Sequence, residues 1–116
     1  MKGQSPTAAQ KRWREAVRSL GSVISGGPAV IHHPVGRTGK HNKVDIGHWW
    51  LIPLTDEEHK ALHNGGEPWK KAYPMCETRK EFEISVFMEI ALTLALSDSQ
   101  EVCPQDAADA IMDYHR

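Results

Sequence analysis

Acidic residues are scarce in the first half of this 116-residue chain: residues 1–50 hold only Glu15 and Asp45 against eight Lys and Arg, a net of +6. Cysteine is scarcer. Cys76 and Cys103 are the only two, far apart and in no C-x-x-C spacing, so neither a disulfide framework nor a four-cysteine zinc site can be built, and two reduced thiols are expected. Long apolar runs are missing as well. The most hydrophobic stretch, Ile84 to Leu96, is interrupted by Glu89 and falls short of the roughly 20 apolar residues that a membrane span needs. The N-terminal segment is polar and basic with no apolar core, so a secretory leader is not expected and a cytoplasmic location is.

What is present describes one soluble domain, residues 1–116, with 40% hydrophobic and 25% charged residues and room for a core of modest size. The formal charge of -1 hides an asymmetry, because residues 81–116 carry Arg116 alone against eight acids, a net of -7. A basic front half and an acidic tail suit a polyanion on one side only, although ordinary solvated helix faces give much the same pattern.

Ser5 and Pro6 read as an N-cap and first helical residue, with Trp13, Ala16, Val17 and Leu20 recurring at helical spacing, so a helix is expected over residues 5–20. Ser22 to Pro28 reads as a turn. Ala29, Val30 and Ile31 then read as a short buried strand that delivers His32 and His33. A polar, basic loop from Pro34 to Gly47 separates it from a second strand, Trp49 to Leu54, in which Pro53 should sit at an edge or at the strand's end. The Trp49-Trp50 pair is expected in the core. Thr55-Asp56-Glu57-Glu58 fits a capping box that opens a short helix, closed by Asn64-Gly65-Gly66. Two C-terminal helices are expected within residues 77–116. The first carries Phe82, Val86, Phe87, Ile90 and Leu94 as core positions, and the second starts at Pro104. The fold class is therefore α+β and mostly helical.

His59 and His63 lie four residues apart on the capped helix, so both imidazoles leave one face within reach of one ion. That pair alone is weak evidence, because exposed helices often carry two solvated histidines at this spacing. His32-His33 strengthens it: neighbours on a strand point to opposite faces, so one can join a metal site while the other meets substrate. If the strands pack on the capped helix, His32 completes a three-histidine site with coordination positions left open. His33 stays off the metal and can take a proton from water.

A His-His pair closing a strand, a glycine-containing loop, a returning strand and a helix bearing HxxxH together resemble the ββα-metal core of the HNH endonuclease superfamily. The likeness is nearest to its colicin-type and phage RecA-dependent nucleases. The motifs are Ile31-His32-His33-Pro34, Trp49 to Leu54 and Glu58 to His63, within residues 29–66. The resemblance implies a β-hairpin and short helix flanked by terminal helices, and one divalent ion (Mg, Mn or Zn) held by His32, His59 and His63. It implies His33 as general base and phosphodiester hydrolysis, foremost in DNA, leaving 5′-phosphate and 3′-hydroxyl ends. A phage or recombination protein as partner, and a bacterial host cell as location, follow from the same likeness.

Three features depart from that family. Its central asparagine has no obvious counterpart, and His48 is the candidate to bond the loop backbone in its place, a solvated loop residue being nearly as good a reading. The Cys-x-x-Cys pair that many relatives carry ahead of the first strand is replaced by Ser22-Val23-Ile24-Ser25, so no second zinc is expected there. The chain is not basic overall, so phosphate contacts fall to local residues, with Arg37, Lys40 and Lys43 the candidates. Two other readings stay open: a closed zinc site stabilising a nucleic-acid or protein binding module without catalysis, and a helical interaction protein whose histidines are merely surface groups.

Overall fold

The computed structural model describes residues 5–98 and 101–114. In chain order the elements are α1 (Ala8–Ser19), β1 (Val30–His32), β2 (Lys40–His41), β3 (Val44–Asp45), β4 (Ile52–Leu54), α2 (Asp56–His63), α3 (Arg79–Ala95) and α4 (Gln105–Asp113). The fold is α+β, with two small antiparallel ribbons among four helices.

The first helix begins later than the Ser5-Pro6 reading expects. Thr7 is its N-cap, accepting from the Gln10 amide while the Gln10 side chain accepts from the Thr7 amide. A reciprocal box satisfies two orphan donors at once, which the proline one residue earlier cannot do. Trp13 and Val17 of α1 are buried, whereas Leu20, expected on the same face, is 41% exposed just beyond the helix. The Trp13 indole N–H donates to the Trp49 carbonyl over 2.9 Å, pinning α1 to the second strand segment.

The expected hairpin forms, but its strands are shorter. β1 pairs with β4 in the register Val30↔Leu54, Ile31↔Pro53 and His32↔Ile52. Ala29 lies outside β1, and His33 follows it. Pro53 is tolerated because each strand of a two-stranded ribbon is an edge; its carbonyl accepts from the Val23 amide of the preceding turn. Trp49 and Trp50 belong to a turn folded over Ile46 rather than to a strand, and both are buried. The long loop also holds structure of its own. Asn42 and Lys43 take positive φ angles of 52° and 66°, closing the β2–β3 ribbon with both central residues left-handed.

Helices α1 and α2 both touch β1 and β4, and α3 packs on β4 and α1. The ribbon that carries His32 is thus enclosed on several sides. Helix α4 covers the β2–β3 ribbon, with His41 and Asn42 both bonded to Asp113. The C-terminal helices keep close to their expected limits, Thr78 and Pro104 being the N-caps. Cys76 and Cys103 are free thiols, as expected.

The box at the start of α2 forms as read, with Thr55 accepting from Glu58 and the Glu58 carboxylate accepting from Thr55. Ser22 adds a hydroxyl donor to the same carboxylate, tying the early turn to the helix. Partial burial works to raise the Glu58 pKa, but the bonds from Ser22 and Thr55 outweigh it and hold the carboxyl below its usual range. A depressed folded pKa contributes stability that is present above the unfolded value and lost as pH falls through the folded one. Glu58→Gln should therefore be less stable than the wild type at pH 7 in urea unfolding, and the gap should close as the pH is taken below the ordinary carboxylate range. A gap independent of pH would refute this role for the charge.

Candidate metal centre and adjoining basic cavity

His59 and His63 project from one face of α2, with their Nε2 atoms 2.9 Å apart and ring centroids 4.5 Å apart. Antiparallel pairing of β1 with β4 turns His32 toward them, and its ring centroid lies 5.2 Å from that of His59 and 5.5 Å from that of His63. One ligand atom from each of the three lies within 4.8 Å of the other two, so the group could hold a metal ion. Burial, together with the neighbouring imidazoles of His32 and His63, keeps His59 below the usual histidine range and hence in its neutral, ligating form.

His32 is 1% exposed and is held from behind by a residue the sequence reading passed over as part of a core helix. Its Nε2 lies 2.7 Å from Oε2 of Glu83 on α3, and Arg79 Nε donates to the same oxygen over 3.0 Å. Glu83 is itself only 4% exposed. A buried carboxylate is an acceptor that wants donors, and in the tautomer that gives it Nε2–H the other ring nitrogen, Nδ1, carries a lone pair. That Nδ1 is buried and has no hydrogen-bond partner.

A buried polar atom without a partner costs about 1–3 kcal/mol, so an orphaned imidazole nitrogen beside two other imidazoles fits a cation site. The carboxylate–histidine arrangement behind it is the kind that fixes the tautomer of a ligating histidine and raises its basicity. A signal for Glu83 exists in the sequence: positions 83, 87, 90 and 94 share one helical face, and an acid among Phe87, Ile90 and Leu94 implies an internal partner.

His33 faces elsewhere. It lines a cavity of about 290 Å³ together with Arg14 of α1, Arg37, Thr38 and His48. Burial first, then the nearby Arg37, His48, His32 and Arg14, lowers its pKa to about 4, so the ring is neutral at pH 7. Gly47 makes this assembly possible, since a Cβ there would collide with the carbonyl oxygens of Gly36 and Arg37. Arg37 and His48 can then lie against one cavity although ten residues separate them.

The structure thus gathers the sequence-nominated residues into two groups: His32, His59 and His63 on one side, and His33, His48 and Arg37 on the other. Lys40 and Lys43 join neither. Lys40 pairs with Asp45 at 3.7 Å, and Lys43 occupies the tip of the β2–β3 ribbon on the side of the acidic α4. Arg14, which no motif singled out, lies with the second group. Comparison of the chain with protein-family models, curated proteins and solved structures found no match.

Zinc titrated calorimetrically into metal-free protein should bind at one site, and His59→Ala should abolish the binding. Glu83→Gln keeps the volume but loses the charge, and should weaken affinity by about 10–100-fold, the usual cost of losing a partner behind a ligating histidine. Full zinc affinity in His59→Ala would remove that residue from the site.

Proposed function

We propose that this protein is a metal-dependent endonuclease of the HNH type, hydrolysing phosphodiester bonds and acting foremost on DNA. The observation that carries the reading is the division of the His32-His33 pair: one ring joins His59 and His63, while its neighbour lines a basic cavity. A group of surface histidines would not bury His32 or leave its Nδ1 without a partner. His48 lines the cavity beside His33, and among the described residues the metal-ligand group has three members. Three protein ligands leave a coordination position open, as catalytic sites do and closed structural ones do not. This favours catalysis over a zinc-stabilised binding module.

His32, His59 and His63 would hold one divalent ion of the Mg, Mn or Zn class, and three imidazoles suit zinc better than manganese or magnesium. When bound, such an ion supplies charge neutralisation at the phosphodiester and at the departing oxygen. His33 accepts the proton of a water molecule as the water oxygen attacks phosphorus. The bond from phosphorus to the 3′ oxygen breaks, leaving a 5′-phosphate and a 3′-hydroxyl. His48 borders the cavity in which His33 works and helps to hold the loop against it.

Nicking of supercoiled plasmid in the presence of Mg²⁺, Mn²⁺ or Zn²⁺ tests this reading. His33→Ala should lose about 10²–10⁴-fold in rate, the usual contribution of a general base, while keeping wild-type zinc affinity. Equal cleavage by the variant would eliminate His33 as the base. Tight zinc binding by the wild type with no cleavage of DNA or RNA would assign the protein to the binding-module class instead.

A further inference from the structure

We propose that the cavity bordered by Arg14, Arg37, His33, His48, Thr38 and Ser5 is an anion site that seats a backbone phosphate of the nucleic acid, with Arg14 as its anchor on α1. The nucleic-acid source of that phosphate rests on the nuclease reading; the anion site rests on the cavity alone.

The lining is one-sided in charge. Two arginines, two histidines, a serine, a threonine and Pro6 line the space, and among the described residues no acidic residue lines it. Arg12, Arg18 and Arg79 each pair with a glutamate, whereas among the described residues neither Arg14 nor Arg37 forms an ion pair. Arginines on a surface with acids at hand normally settle against them. Arg14 and Arg37 both line one cavity, and guanidinium groups match the oxygens of phosphate in pairs. Ser5 and Thr38 supply hydroxyl donors of the kind that position a phosphate without reading sequence.

The volume of about 290 Å³ accommodates a tetrahedral phosphate with water around it, since one water occupies about 30 Å³. The arginines also come from distant places. Arg14 lies in the first helix and Arg37 in the long loop, so the site exists only once α1 has packed on the ribbon. The net charge of +6 over residues 1–50 finds its focus here, because the basic β2–β3 ribbon is partly neutralised by Asp45 and Asp113.

The test uses two probes on the full-length protein in EDTA, so that no metal contributes. Inorganic phosphate is titrated calorimetrically, and a fluorescent 12-base-pair DNA duplex is titrated by anisotropy at several salt concentrations. Arg14→Gln should weaken binding of both probes by about tenfold or more, and the double variant with Arg37→Gln should lower the salt slope of duplex binding by about 2. Arg14→Lys should recover part of the affinity, and a control with Lys70→Gln and Lys71→Gln, two exposed lysines elsewhere, should match the wild type. Thermal unfolding checks that each variant is folded.

Unchanged binding of both probes by folded Arg14→Gln overturns the proposal, even if the wild type nicks plasmid. Arg14-dependent binding of phosphate without binding of the duplex overturns the nucleic-acid source. Arg14-dependent binding of both by a protein that cleaves nothing supports the anion site while the nuclease reading falls.

Discussion

The contact between His32 and Glu83 is the constraint on which the site is built. It joins the first strand to the third helix across fifty-one residues, and Arg79 lies against both partners. Burying a carboxylate is costly unless donors meet it, and here two donors converge on one oxygen. The orientation that satisfies Glu83 is the one that leaves His32 Nδ1 alone in the interior. The protein thus satisfies one buried group by exposing a need in another, and a cation between three imidazoles would meet that need. Any cation held there would be coupled to the packing of α3 through a single ring.

The end of a β-strand does the remaining work. His33, the residue immediately after β1, lies outside the imidazole group and lines the basic cavity. The short ribbon, in contact with both α1 and α2, brings a candidate cation group and a basic cavity to adjacent residues of one segment. Charge is sorted along the same line. On the β2–β3 ribbon Asp45 pairs with Lys40 and Asp113 of α4 bonds His41 and Asn42, while Arg14 and Arg37 line the cavity. A net charge near zero is therefore no guide to what this surface attracts, since attraction at a groove depends on the local arrangement of charge.

Much of this was legible in the chain, and the legible parts share a cause. The α2 box, the Gly65 stop, the i,i+4 histidines and the long apolar face of α3 are all written within one or two helical turns, where local geometry decides. The start of α1 shows the limit even there: two neighbouring signals competed, and Thr7 with Gln10 satisfied more backbone donors than Ser5 with Pro6. Trp49 and Trp50 read as strand because aromatic residues favour strands, yet a turn over Ile46 buries both indoles more completely. The β2–β3 ribbon was hidden because its turn carries Asn42-Lys43 in place of a glycine-bearing pair.

By itself the amino-acid sequence determined the α+β class, the capped helix with its two candidate ligands, and the adjacency of His32 and His33, because each follows from spacing along the chain. Only the tertiary structure decided that Glu83 stands behind His32, that Arg14 shares a cavity with Arg37, and that the loop lysines stay outside it. Those are meetings between residues tens of positions apart, set by how helices pack on a ribbon, and no local pattern encodes them.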